Sequence, residues 1–126
     1  DSCDYAGKHG IFLGIENHDS IGNSSTLIEF VKAVDHRWFA VNLDSGNFRT
    51  SDPYTDFASS APYAVNVQLK VELRSGKDQK AADFRRLINI LKKANYQGYV
   101  VLEYEAEQDP YAAIPPLLKT LRGLLL

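Results

Sequence analysis

An alternating α/β fold with a parallel sheet is what this sequence predicts, and three features predict it. Four short apolar segments, residues 11–16, 38–44, 63–73 and 99–104, are separated by stretches with helical periodicity. Each carries a polar, oxygen-bearing side chain near its C-terminal end: Glu16, Asp44, Gln68 and Glu103. Successive members of this series lie about one βα unit apart, roughly 30 residues. In parallel α/β folds function gathers where the strands end, so the series points to one divalent-cation site shared by four neighbouring strands.

The elements follow in order. Residues 1–10 read as the second half of a helix, with Tyr5 and Ala6 on one side and Gly10 in the position past the helix end. Ile11-Phe12-Leu13-Gly14-Ile15-Glu16 has the character of a buried parallel strand. A polar loop follows, in which Asn23, Ser24 or Ser25 can cap the next helix. That helix shows Leu27, Phe30, Val31 and Val34 at helical spacing. Residues 38–44 form the second strand, and Ser45-Gly46-Asn47-Phe48 turns out of it. Asp52-Pro53 opens a short helix to about Ser60, with Asp as cap and Pro at the first position. Residues 63–73 contain the third strand, and Ser75-Gly76-Lys77-Asp78 is a loop. Residues 80–95 give the clearest helix, with the stripe Phe84, Leu87, Ile88 and Leu91. Gln97-Gly98 breaks it before the fourth strand, 99–104. Asp109-Pro110 opens the last helix, to about Leu125; Pro115 and Pro116 fit it only if it begins late or is kinked.

Side-chain parity sharpens the picture. Val65, Val67 and Leu69 point one way along the third strand, and Asn66, Gln68 and Lys70 the other. Val41 and Leu43 likewise oppose Asn42 and Asp44, and Val100 and Leu102 oppose Val101 and Glu103. The apolar sets are expected to face the helices and the polar sets a cleft. A buried amide without a partner costs about 1–3 kcal/mol, so a recurring polar face implies a hydrated, liganded pocket. Alternation of this kind gives right-handed crossovers. Four strands are half of a closed (β/α)8 barrel, so the expected fold is a parallel half-barrel in one domain spanning residues 1–126. Its outer strands would expose unpaired backbone. A missing N-terminal half, or a second copy acting as a homo-oligomer, is expected to complete it.

The bulk numbers exclude more than they assign. A net charge of −2 gives no general attraction to nucleic acid or anionic lipid, so neither a nucleic-acid nor a membrane partner is expected. No apolar run is long enough to cross a bilayer. The lone Cys3 cannot form an internal disulfide. Methionine is absent, so a processed chain or a fragment is expected. A cytoplasmic location is the expectation for the protein.

Four stretches occur in a telling order: Gly14-Ile15-Glu16-Asn17-His18, Asn42-Leu43-Asp44-Ser45-Gly46-Asn47, Val67-Gln68-Leu69-Lys70 and Val101-Leu102-Glu103-Tyr104. In these the chain resembles the C-terminal half, strands five to eight, of the xylose isomerase-like TIM barrels. These are sugar-phosphate isomerases and epimerases, also described as the AP-endonuclease family 2 domain. The resemblance implies a divalent metal held by Glu16, Asp44, Gln68 and Glu103, with Gln68 standing where that family commonly has histidine. The resulting all-oxygen set favours Mn²⁺ or Mg²⁺ over Zn²⁺. It further implies a sugar, sugar phosphate or polyol as substrate. Glu16 and Glu103 would be the acid/base pair of an isomerase or epimerase working through a cis-enediolate. Three carboxylates leave a net negative charge around one divalent ion, which Lys70 can offset. His18, Asn47 and Glu105 join Lys70 as residues expected to touch substrate or support the ligands.

Other readings stay open at this point. A dehydratase-like lyase of the same superfamily would use the same metal to expel water, and a half-barrel can serve as a non-catalytic binding or assembly module. Endonuclease activity needs a histidine-rich zinc cluster, and only three histidines occur. His9 and His36 are at helix ends, where dipole contacts account for them. Asn17 reads either as a residue behind the site or as a turn residue.

Overall fold

The computed structural model describes residues 1–126. The chain runs α1 (Ser2–Lys8), β1 (Leu13–Glu16), α2 (Ser24–Val34), β2 (Phe39–Asp44), α3 (Pro53–Ser60), β3 (Ala64–Lys70), β4 (Glu72–Ser75), β5 (Asp78–Ala81), α4 (Phe84–Lys93), β6 (Tyr99–Glu103) and α5 (Pro110–Leu125). One-turn 3₁₀ segments sit at Asp19–Ile21 and Ala61–Tyr63. Strands β1, β2, β3 and β6 make one sheet in that order, all parallel. This is the four-stranded half-barrel the alternation predicts. No helix is long and apolar enough to cross a membrane.

Each main helix starts where an Asn or Asp side chain takes up a free backbone N–H. Asn23 accepts from the Thr26 amide at 2.9 Å, Asp52 from Thr55 at 3.3 Å, Asp83 from Arg86 at 2.9 Å and Asp109 from Tyr111 at 3.1 Å. Such caps stabilise a helix by about 1 kcal/mol each. After α1, Gly10 adopts φ +69°, the left-handed conformation that lets the chain reverse into β1.

The core lies between the sheet and its helices. Val41, Leu43, Val67 and Leu69 are fully buried against Leu27, Phe57, Leu87, Ile88 and Leu91. The apolar parity set therefore faces the helices, and the polar set faces the concave side. β1 and β6 each have only one neighbour strand. Exposed apolar residues mark both edges: Ile11 and Phe12 just before β1, and Tyr99 and Val101 in β6.

Three sequence expectations change. The third strand ends at Lys70 rather than continuing to Leu73, because the chain bends at Val71 and starts a separate antiparallel hairpin, β4–β5. The helix expected over 80–95 begins at Phe84, since Lys80 and Ala81 belong to β5. In the hairpin Leu73 is buried, and its tip pairs Ser75 with Asp78 around Gly76, which has φ +62°. Finally, α5 neither starts late nor breaks at its prolines: it runs from Pro110 to Leu125 with Pro115 and Pro116 inside it. Both prolines face solvent, so water can satisfy the carbonyls they leave without a donor.

An irregularity between β2 and β3 sets the register of the site. Val41 pairs with Ala64, but Asn42 pairs with Asn66, so β3 carries one extra residue there. The shift aligns Asn42 with Asn66 and Asp44 with Gln68, and on the far side Lys70 pairs with Glu103.

Candidate functional site

At the C-terminal rim of the sheet the expected residues converge. Asn42 is the hub: its Nδ2 donates to Gln68 Oε1 at 2.6 Å and lies 3.4 Å from Glu16 Oε2. Its Oδ1 accepts from Asn66 Nδ2 at 2.8 Å. Gln68 Nε2 then donates to Glu103 Oε2 at 2.8 Å. Asn47 Nδ2 donates to the other Glu16 oxygen at 3.0 Å. A connected line of amides thus orders Glu16, Gln68 and Glu103 across three strands.

Lys70 is the electrostatic centre. Its Nζ lies 2.8 Å from Glu103 Oε1, 2.8 Å from Glu105 Oε2 and 3.5 Å from Asp44 Oδ2. The lysine stem reaches this point by passing over Gly46. A Cβ on Gly46 would meet Lys70 Cδ at 2.5 Å, so no larger residue fits there without moving the lysine. Burial opposes a charged Lys70, but the hydrogen bonds to Glu103 and Glu105 and the attraction of Asp44 outweigh it and raise its pKa above the ordinary lysine range. Lys70 is therefore a fixed cation and not a proton acceptor at neutral pH. Burial also works against ionised Glu103, yet the bond from Lys70 prevails and keeps that carboxyl below its usual pKa.

Asp44 is fully buried, and its two oxygens are unlike. Oδ1 accepts from the Gly46 and Asn47 amides at 2.7 and 3.0 Å, which fixes the turn after β2. Oδ2 has no hydrogen-bond partner. Burial is the main reason that the Asp44 pKa is pushed up to about 7; the Gly46 amide and Lys70 oppose the shift, and the nearby Glu103 adds to it.

Because the folded pKa lies above the unfolded value near 3.8, protonated Asp44 favours folding below about pH 4, and this contribution fades as pH rises through 7. NMR of the metal-free chain should show the Asp44 side-chain carbon titrating near pH 7. Divalent cations compete with that proton, so Mg²⁺ affinity should rise with pH up to about 7 and then level off. A midpoint near 4 would remove burial as the controlling effect.

Two fully buried side chains hold the strand ends together. Asn17 Nδ2 donates to the Asp44 carbonyl at 2.8 Å, and Asn17 Oδ1 accepts from the Asp44 amide at 2.8 Å. Between β2 and β3, the Lys70 amide donates to Ser45 Oγ at 2.9 Å, and the Ser45 amide to the Gln68 carbonyl at 2.9 Å. These bonds continue the parallel ladder past the strand ends, just where the polar side chains emerge.

The open space here is a pocket of about 260 Å³ with no hydrophobic residue in its wall. Glu16, His18, Asn47, Lys70, Glu103 and Glu105 line it as expected. His18 stands at the rim with its Nδ1 3.0 Å from Asp19 Oδ2. Sequence reasoning missed Asn42 and Ser45, and also the wall formed by Arg49, Glu72, Arg74 and Gln79. Asn42 carried a signal, its place on the polar face of β2. The hairpin residues also had one: alternation on either side of Ser75-Gly76-Lys77-Asp78 is the pattern of a tight antiparallel turn. Arg49 and Ser45 had none.

The donor chemistry suits a hard divalent ion. Three carboxylates and an amide oxygen stand on neighbouring strands, and one buried carboxylate oxygen has no partner. The site is not pre-assembled, however: no three His, Cys, Asp or Glu side chains are grouped closely enough to hold a metal. The Lys70 ammonium stands among the carboxylates instead.

A parallel half-barrel with its polar side chains gathered at the strand C-termini defines a class: the α/β barrels whose working face is that rim. Within it, the chain belongs to the xylose isomerase-like TIM barrel family, which matches residues 1–124. No curated protein matches it in sequence. Among solved structures, a 3-keto-D-glucoside 4-epimerase from E. coli superposes with a TM-score of 0.76 at 21% identity, covering 97% of this chain and 49% of that one. A xylose isomerase domain protein from Planctomyces limnophilus gives 0.72 at 18% identity, covering 98% and 49%. A D-psicose 3-epimerase gives 0.67 at 21% identity, covering 85% and 39%. The chain therefore spans about half the length of the structures it matches or less. At these identities the likeness establishes the fold.

Proposed function

We propose that the chain is the metal-carrying C-terminal half of a sugar isomerase or epimerase, strands five to eight of the barrel. One observation carries the reading: Glu16, Gln68 and Glu103 are drawn together through Asn42, beside a buried Asp44 oxygen that has no partner. Glu16, Asp44, Gln68 and Glu103 would hold Mn²⁺ or Mg²⁺. Bound there, the ion would polarise the carbonyl and hydroxyl oxygens of the substrate.

The chain's own residues supply the rest. Glu16 and Glu103 take a proton from one carbon and return it to the same or the adjacent one. Asn47 and Asn42 orient Glu16, while Gln68 and Lys70 orient Glu103 and keep it ionised. Lys70 also steadies negative charge as it develops on substrate oxygen. The sugar epimerases among the structural relatives favour this chemistry over the alternatives. The unpaired edges of β1 and β6 would be covered by a complementary half-barrel.

The test is proton exchange. With Mn²⁺ or Mg²⁺ present, ketoses and aldoses incubated in D₂O should take up deuterium at the carbon beside the carbonyl, read by proton NMR. Loss of water from the sugar would instead assign a lyase. Neither result with metal bound would leave a binding module.

A further inference from the structure

A second cleft opens directly off the polar pocket. It has a volume of about 1260 Å³ and shares Glu72, Gln79 and Glu105 with the smaller cavity, so the two are continuous. Its walls are the β4–β5 hairpin on one side and, on the other, the segment leaving β6 with the first turns of α5. Half of its lining is apolar, in contrast to the pocket it joins, with Tyr104, Ala113, Pro116 and Leu117 as its broadest surfaces.

Size and charge together restrict what fits. Ordinary small-molecule pockets hold about 300–1000 Å³. The polar pocket lies just below that range, room for one sugar ring, and the cleft lies above it. The cleft wall contains Glu72, Glu105, Glu107 and Asp109 but no Lys, Arg or His. A phosphate or carboxylate placed there would meet only like charge.

The wall does offer acceptors for hydroxyl groups. The Ala112 carbonyl has no α-helical or 3₁₀ donor, because residues 115 and 116 are both proline. Apolar surface alternating with acceptors suits the faces and hydroxyls of a second sugar ring.

We infer that the substrate is an uncharged glycoside whose second ring occupies this cleft while the reacting ring lies in the polar pocket. The inference rests on the sugar reading above and deepens it. A free monosaccharide would leave the cleft empty, and a sugar phosphate would set its anion against the four carboxylates.

Binding of probe sugars to the Mn²⁺- or Mg²⁺-loaded chain tests it, with glucose, cellobiose, maltose and glucose 6-phosphate titrated under Mg²⁺ and followed by amide NMR. At least one disaccharide should bind tenfold or more tightly than glucose, and glucose 6-phosphate more weakly than glucose. The disaccharide should shift the amides of Tyr104, Ala113 and Leu117 as well as those around Lys70. Ala112→Trp, at an exposed position on the cleft wall, should bring disaccharide affinity down to that of glucose. Equal binding of glucose and both disaccharides, shifts confined to the polar pocket, or tighter binding of the phosphate would each overturn the inference while leaving the sugar reading intact. No binding of any of the four would overturn both.

Discussion

Asp44→Asn should make the metal-free protein more stable and the metal site far weaker. Burial holds the Asp44 pKa near 7, so above that pH the folded chain carries an ionised group where the fold disfavours one. Asparagine keeps the acceptor for the Gly46 and Asn47 amides and removes the charge. Because Lys70 loses one of its three partners, the gain is set below the full pKa shift, at about 1–2 kcal/mol at pH 8. The opposite effect falls on the ion. Losing one carboxylate from the proposed ligand set should weaken Mn²⁺ binding by about 100-fold or more. Urea unfolding of both proteins, with and without millimolar Mn²⁺, reads the two effects together. The variant should be the more stable without metal and the less stable with it. Equal stabilisation of both by Mn²⁺ would remove Asp44 from the ligands.

Asn17→Ala should cause the second large loss. This side chain makes two buried bonds to the Asp44 backbone and nothing else in the fold can replace it. Truncation strands a buried N–H and a buried C=O, at about 1–3 kcal/mol each. Stability should therefore fall by about 2–5 kcal/mol in urea titration. It should also release the Asp44 turn, lowering Mn²⁺ affinity by about tenfold. Asn17→Asp is the informative companion, because a carboxylate can still accept from the Asp44 amide but cannot donate to its carbonyl. An alanine variant within about 0.5 kcal/mol of the parent would mean that water takes over both bonds.

The amino-acid sequence by itself determined whatever depends on near neighbours. Helix starts follow from single Asn and Asp residues bonding two or three positions ahead, which is why Asn23, Asp52 and Asp109 could be placed from sequence. The strands follow from apolar runs, and the polar faces of β2 and β3 follow from a period of two. Parity alone put Asp44, Gln68, Lys70 and Glu103 on one side, and the structure brings them to one rim.

What only the tertiary structure decided are the relations between strands. A one-residue shift between β2 and β3 aligns Asn42 with Asn66, and no periodicity within one segment encodes it. Lys70 becomes a buried cation because two carboxylates from β6 and its following loop arrive beside it, more than thirty residues further on. Asn17, which reads equally well as a turn residue, becomes a clamp only when Asp44 lies across from it. The β4–β5 hairpin was hidden because Lys80 and Ala81 continue smoothly into a helical stripe; it forms because Leu73 finds a buried place against the core. Local propensity acts over a few residues, whereas burial and charge pairing act between segments that meet only once the chain has folded.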